Sequence, residues 1–314
     1  MTAKLCGVLL PFVTPFVQSG EIDKRGLRSN IERWNVTGIA GYAVLGSTGE
    51  RVHLDEREYL QVIEVARETV PEHLAFIVGA GQQSTRGTIN EIKLAANAGA
   101  DAVLVITPSF YRTAITQDAL ITHYTAIADE APVPVILYSM PALTGIKIEP
   151  ETVAKLSEHP NIIGVKDSSA DIEGFRKTVE LVHGNIAGKT DFGSGSDDIG
   201  SRRDDFAVLT GNGTVLHSAL MAGADGGILA VGCVAPRLCL EIFRAVKAGD
   251  SERATTLQEK LTPLAQAVTT KYGIGGLKAG LDFLGYAGGS VRAPLQAPSE
   301  AARDEIRGLV VSCQ

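Results

Sequence analysis

The chain has 314 residues, of which 45% are hydrophobic and 21% charged, as is typical of a soluble globular protein with a full core. This length fits one large α/β barrel or two average domains. The formal net charge of -7, without any Lys/Arg-rich run, argues against nucleic-acid binding, and an acidic substrate must therefore be attracted by local groups.

Strand-like apolar runs alternate with helix-like segments from the start of the chain to residue 249. We predict eight strands, at residues 5–13, 41–45, 75–80, 102–107, 134–139, 162–166, 206–210 and 227–231. A helix is predicted after each strand, at residues 25–37, 55–70, 84–98, 116–130, 150–159, 171–183, 214–222 and 236–248. Asp55 and Glu58 form a capping-box pattern at the start of the second helix. Eight strand–helix units with short connections predict a (β/α)8 TIM barrel.

A doubly wound sheet is the weaker alternative, because it would place a glycine-rich dinucleotide turn where this chain has Thr14-Pro15-Phe16. Beyond Gly249 the pattern is purely helical, with helices predicted at residues 252–272, 274–284 and 299–311. We therefore predict a barrel that carries the active site at residues 1–249 and a C-terminal helical extension at residues 250–314. The segment from Gly184 to Asp204, rich in Gly, Ser and Asp, is predicted to be a long loop, and we assign it no role.

The cysteines and histidines are dispersed along the chain. Neither a C-x-x-C nor an H-x-x-x-H pair occurs, so no metal site and no disulfide framework is predicted. We see neither a secretory signal pattern nor an apolar stretch of membrane-spanning length, and we expect a cytoplasmic protein without a membrane partner.

Lys166 ends a β-branched run, Ile162 to Val165, that is typical of a buried parallel strand. Burying an ammonium group is costly and lowers its pKa, which frees an amine to attack a carbonyl. Taken alone, this residue is more simply explained as a lysine at a strand end with its head in water.

Other candidates follow the predicted strands, because active-site residues of a barrel lie at the carboxyl ends of its strands. The turn from Gly46 to Glu50 offers amides and hydroxyls to a small anion, although an ordinary βα turn explains it equally well. Tyr138 can transfer a proton or simply pack. Gly211-Asn212-Gly213 has no cation nearby in sequence, so we favour a plain turn over a phosphate site. An anion cradle, a phenol and an amine at one mouth suffice for imine chemistry on a 2-oxo acid.

Three motifs together resemble the dihydrodipicolinate synthase/N-acetylneuraminate lyase superfamily of pyruvate-dependent class I aldolases: Gly46-Ser47-Thr48-Gly49-Glu50, Tyr138-Ser139-Met140-Pro141 and Gly164-Val165-Lys166-Asp167. The resemblance covers nearly the whole chain. It implies a homo-oligomer, a tetramer or a dimer, in which an aromatic residue after strand four reaches into the neighbouring site. It also implies that no cofactor is needed beyond the covalent imine.

The resemblance also implies roles for individual residues. Lys166 would form the Schiff base, Tyr138 would be the acid/base phenol and Ser47 would belong to the proton relay. Thr48 and Gly49 would bind the carboxylate of pyruvate. Leu229 matches a position whose backbone carbonyl contacts the substrate.

This sequence departs from the superfamily pattern at two positions. Phe110 stands where a relay tyrosine is expected, and the adjacent Tyr111 is a possible substitute. Leu143 stands where dihydrodipicolinate synthases have an arginine for the carboxylate of their aldehyde substrate, which counts against that synthesis.

Segments 138–145, 159–168 and 272–296 look most like 4-hydroxy-2-oxoglutarate aldolases. We therefore predict an aldolase that cleaves a 4-hydroxy-2-oxo acid, in the first place 4-hydroxy-2-oxoglutarate, into pyruvate and glyoxylate. The alternatives are dihydrodipicolinate synthesis, N-acetylneuraminate cleavage or sugar-acid dehydration through the same imine. A protein that binds a 2-oxo acid without turning it over is the alternative from outside the enzymes.

Overall fold

The computed structural model describes residues 5–184 and 203–314, so most of the predicted loop at residues 184–204 lies outside the described residues. Eight parallel strands close into one barrel in chain order, and the last pairs with the first. The strands are β1 Gly7–Leu10, β2 Gly41–Val44, β3 Ala75–Ala80, β4 Ala102–Ile106, β5 Val135–Ser139, β6 Ile162–Asp167, β7 Ala207–Thr210 and β8 Gly226–Ile228. The predicted TIM barrel is confirmed.

Helices follow the strands and surround the barrel. They are α1 Lys24–Trp34, α2 Glu56–Thr69, α3 Thr85–Asn97, α4 Gln117–Glu130, α5 Pro141–Thr144, α6 Pro150–Ser157, α7 Ile172–His183, α8 Leu216–Met221 and α9 Pro236–Lys247. At the start of α2, the Asp55 side chain accepts from the Glu58 amide while the Glu58 side chain accepts from the Asp55 amide, so the predicted capping box is confirmed. None of the described helices is both long enough and apolar enough to cross a membrane.

The boundaries differ from prediction where the chain turns sharply. The first strand, predicted to run to residue 13, ends at Leu10 just before Pro11, which lacks an amide for the sheet ladder. The eighth strand ends at Ile228, and Ala230–Cys233 forms a 3-10 helix instead of extending it. The sequence analysis missed α5, a single turn that begins with Pro141 directly after β5.

Two apolar layers hold the fold together. One fills the barrel interior with side chains such as Leu104, Leu209 and Ile228, and the other packs between the strands and the helices. Because both faces of the strands are buried, they carry near-continuous apolar runs rather than an alternating pattern.

The C-terminal segment forms α10 Ser251–Gln266, α11 Gly273–Phe283 and α12 Glu300–Ser312, and a π-helical turn, Ala267–Lys271, follows α10. Leu261, Leu277 and Ile306 from these helices share one buried cluster with side chains of the barrel. The predicted boundary after residue 249 falls between α9 and α10, and the division into two domains stays a prediction.

Candidate active site

Lys166 and Tyr138 lie side by side at the carboxyl ends of neighbouring strands. The register of β5 and β6 pairs their Cα atoms, and both side chains are only 4% exposed. Lys166 Nζ lies 4.1 Å from the centroid of the Tyr138 ring. The interpretation of Lys166 as a lysine with its head in water is therefore wrong, since the whole side chain is buried at the end of the barrel.

Gly211 makes room for Lys166 on the side of β7. A methyl group on Gly211 would lie 2.6 Å from Lys166 Cε and 2.0 Å from Ser168 Oγ, so no larger residue fits without movement. The Gly211 amide donates to the Asp167 carbonyl at 2.6 Å, which joins the two strand ends. The segment predicted to be a plain turn thus also shapes the lysine site.

The Tyr138 hydroxyl lies 3.2 Å from Ser47 Oγ, which follows β2 across the barrel mouth. Burial alone would raise the pKa of Tyr138, but the charge of Lys166 and hydrogen bonds from Ser47 and Ser168 outweigh it and lower the pKa. A buried phenol beside an amine, linked to a second hydroxyl, is suited to proton transfer.

The turn after β2 is a short 3-10 helix, Ser47–Gly49. The amides of Gly49 and Glu50 already donate to the carbonyls of Gly46 and Ser47, so neither is free to bind an anion. The first amides of a helix have no acceptor within it, which leaves those of Ser47 and Thr48 for a ligand. Ser47 and Tyr138 both line a cavity of about 40 Å³ at this mouth.

Glu50, which ends this turn, anchors it to the C-terminal segment. Its backbone is left-handed, with φ of 54°, and its buried carboxylate lies 2.5 Å from Lys278 Nζ on α11 and accepts from the Arg292 amide at 3.1 Å. Arg292 also pairs with Glu58 at 2.6 Å. Burial lowers the pKa of Lys278, although its hydrogen bond to Glu50 opposes this shift. The C-terminal segment therefore helps to hold the turn that carries Ser47 and Thr48.

We expect Lys278→Met to lower the free energy of unfolding by about 3–5 kcal/mol, because it leaves the Glu50 carboxylate buried without its counter-charge. Urea unfolding followed by circular dichroism measures this loss. Lys271→Met is the matched control, since Lys271 pairs with Glu305 on the exposed surface and its removal should have little effect. An equally small loss for both variants would show that the buried pair does not stabilise the fold.

The remaining predicted residues lie around the mouth or beside it. Phe110 and Tyr111 are 76% and 72% exposed, and their rings pack edge to face. The Gln83 side chain accepts from the Phe110 amide and holds their loop. Leu143, on α5, is 65% exposed. Leu229 is fully buried in the outer layer, and its carbonyl already accepts from the Gly232 amide at 3.0 Å.

The sequence analysis gave no role to Ser168, Glu50, Lys278 or Arg292. Ser168 directly follows the lysine strand, and its position after Lys166-Asp167 is a signal that could have found it. Two partners of Glu50, Lys278 and Arg292, lie more than two hundred residues away in the chain, and no local sequence pattern indicates them. Within residues 5–184 and 203–314, no cluster of His, Cys, Asp or Glu could hold a metal ion, and independence from a cofactor stays a prediction.

Comparison with known proteins finds relatives that match this chain over nearly its whole length. The model of the dihydrodipicolinate synthetase family matches residues 4–200 and 188–312. A 4-hydroxy-tetrahydrodipicolinate synthase from Acidiphilium cryptum is 34% identical over 96% of both chains. One from Methanospirillum hungatei is 33% identical over 96% of this chain and 97% of the relative.

Solved structures agree with the sequence relatives. Dihydrodipicolinate synthase from Thermotoga maritima superposes with a TM-score of 0.88 at 30% identity, covering 99% of both chains. A prophage protein of the dihydrodipicolinic acid synthase family from E. coli K12, solved in complex with pyruvate, superposes with a TM-score of 0.87 at 27% identity over 98% of both chains. These relatives carry the synthase name and not that of the 4-hydroxy-2-oxoglutarate aldolases, so the family is confirmed at its broader level. The chain belongs to the dihydrodipicolinate synthetase family and is a pyruvate-dependent class I lyase or synthase.

Proposed function

We propose that this enzyme cleaves 4-hydroxy-2-oxoglutarate into pyruvate and glyoxylate through an imine on Lys166. The observation that carries the proposal is the buried Lys166 amine packed against the Tyr138 ring at the carboxyl ends of β5 and β6. Segments 138–145, 159–168 and 272–296, which look most like 4-hydroxy-2-oxoglutarate aldolases, support the choice of substrate.

The reaction begins when the Lys166 amine attacks the C2 ketone; the adduct takes up one proton and loses water, which gives the protonated imine. This cation is the electron sink for the next step, so the reaction needs no separate cofactor. The amides of Ser47 and Thr48 bind the neighbouring carboxylate, at the turn that Glu50 holds in place.

Carbon–carbon cleavage follows from removal of the proton on the C4 hydroxyl. The Tyr138 phenolate takes that proton, directly or through Ser47. The C3–C4 bond breaks, and its electron pair moves toward the imine nitrogen. Glyoxylate leaves, and the remaining enamine takes a proton at C3. Water then hydrolyses the imine, which releases pyruvate and restores the lysine.

Assembly is a second part of the proposal. Phe110 and Tyr111 expose large aromatic rings beside the mouth, where burial against another copy of the chain would remove apolar surface from water. We propose a homo-oligomer, a tetramer or a dimer, in which Tyr111 provides the relay hydroxyl that Phe110 lacks.

Dihydrodipicolinate synthesis is the second candidate, and the names of relatives 33–34% identical to this chain favour it. It would start from the same imine of pyruvate and add it to a different carboxylate-bearing aldehyde, aspartate semialdehyde. N-acetylneuraminate cleavage and sugar-acid dehydration differ only in what reacts with the imine. The last alternative is a protein that binds a 2-oxo acid without turning it over. It is suggested by Phe110, which has no hydroxyl where the relay tyrosine is expected.

Pyruvate release from 4-hydroxy-2-oxoglutarate, coupled to lactate dehydrogenase, tests the proposal. We expect steady release by the wild-type enzyme, faster than from N-acetylneuraminate. Faster condensation of pyruvate with aspartate semialdehyde than cleavage of 4-hydroxy-2-oxoglutarate would favour the synthase instead. Borohydride trapping of pyruvate on Lys166 without turnover of any substrate would favour the binding protein.

A further inference from the structure

The proposed substrate carries a second carboxylate, at C5, on the part that leaves as glyoxylate. The net charge of -7 supplies no general attraction for it, and Leu143 offers no cation. Two other basic residues at this end of the barrel are already paired within the protein. Arg51 binds Glu91, and Lys147 lies 2.8 Å from Asp171 and 3.4 Å from Glu149.

The Arg112 side chain lies beside the segment that carries Leu143. It begins the 3-10 turn Arg112–Ala114 after β4, yet its side chain lies against Gly145, two residues beyond Leu143 in the segment that follows β5. A methyl group on Gly145 would lie 2.7 Å from Arg112 Nη1 and 2.8 Å from its Cδ. Gly145 has a left-handed backbone, with φ of 69°, and its missing side chain leaves space for the guanidinium.

The Arg112 guanidinium is not committed to a partner in the described part of the chain. Among residues 5–184 and 203–314, no carboxylate lies within ion-pair distance of it and no acceptor takes its N–H groups. A planar guanidinium with free donors is the group best matched to a carboxylate, which it can bind through two parallel hydrogen bonds.

We infer that Arg112 binds the C5 carboxylate of the substrate and so replaces, from the β4 loop, the arginine that is absent at Leu143. This inference rests on the proposed function, because only a dicarboxylic substrate has that group to bind. Arg112 would therefore determine specificity for substrates whose departing aldehyde carries a carboxylate. It would take no part in forming the imine.

The test compares two substrates of equal carbon length. 4-Hydroxy-2-oxoglutarate has the C5 carboxylate, and 4-hydroxy-2-oxopentanoate has a methyl group in its place. We expect Arg112→Ala to lower kcat/KM for the dicarboxylate by about 10- to 100-fold, mostly through KM, as for loss of a charge-assisted hydrogen bond. The value for the methyl analogue should stay within about threefold, because the variant removes nothing that this substrate contacts.

Arg112→Lys is the matched control, since it keeps the charge without the planar pair of donors. Its kcat/KM for the dicarboxylate should fall between the values of the wild-type enzyme and Arg112→Ala. Equal losses on both substrates, or no loss on the dicarboxylate, would overturn the role of Arg112 while the proposed function stands. If the wild-type enzyme releases no pyruvate from the dicarboxylate, the proposed function fails and the role of Arg112 falls with it.

Discussion

Lys166→Ala is expected to lower kcat for pyruvate release by a factor on the order of 10⁴ or more, to the background rate of the assay. The variant removes the amine that forms the imine, and with it the electron sink for cleavage of the C3–C4 bond. Lys166 is the penultimate residue of β6 and the variant leaves the apolar run before it unchanged, so we expect the fold to persist. Lactate-dehydrogenase-coupled release and circular dichroism measure activity and fold in the same preparation.

Borohydride reduction gives a readout that does not depend on turnover. With pyruvate present, the wild-type protein should gain one carboxyethyl group on Lys166, located by peptide mass spectrometry, and Lys166→Ala should gain none. Lys155→Ala is the matched control, because Lys155 lies exposed on α6 in an ion pair with Glu158 and should leave both readouts unchanged. Appreciable turnover by Lys166→Ala would rule out the imine mechanism.

The barrel could be predicted because the sequence signals for its strands and helices lie within short segments of the chain. Several strands, such as β1 and β7, are short apolar runs followed directly by Pro or Gly, and several helices begin at a capping residue such as Asp55 or Ser84. Lys166 and Tyr138 also carry local signals, since each is the penultimate residue of an apolar strand. Once the strands are known to close in chain order, their proximity follows from strand adjacency alone.

What the sequence did not reveal depends on contacts between distant segments. Glu50 is one letter in a Gly-Ser-Thr-Gly-Glu motif, and only the folded chain brings Lys278 to its carboxylate. From the sequence, Gly211 is an ordinary turn residue, and only the fold shows that Lys166 and Ser168 pack against it. Arg112 is likewise an ordinary loop arginine until its side chain is seen to cross to Gly145. Such packing decides how a site is supported and which substrate it selects, and one-dimensional patterns do not record it.

Tyr138→Phe is expected to lower kcat by a factor on the order of 100 or more, as for loss of a general acid/base, while the ring that packs against Lys166 is kept. The pKa of Tyr138 is lowered, because Lys166 and hydrogen bonds from Ser47 and Ser168 outweigh the opposing effect of burial, and this favours the phenolate that accepts the C4 proton. Coupled kinetics give kcat, and borohydride trapping reports separately whether the imine still forms.

Tyr124→Phe is the matched control for Tyr138→Phe. Tyr124 is also buried, but its hydroxyl donates to the Val105 carbonyl outside the site, so its loss should affect stability and leave kcat nearly unchanged. If Tyr138→Phe traps pyruvate like the wild-type enzyme but turns over slowly, the phenol acts in bond cleavage. If trapping fails as well, the phenol is already needed to form the imine. A near-normal kcat would show that another hydroxyl takes the proton. Ser47 and Ser168 are the candidates, since both hydrogen-bond to Tyr138.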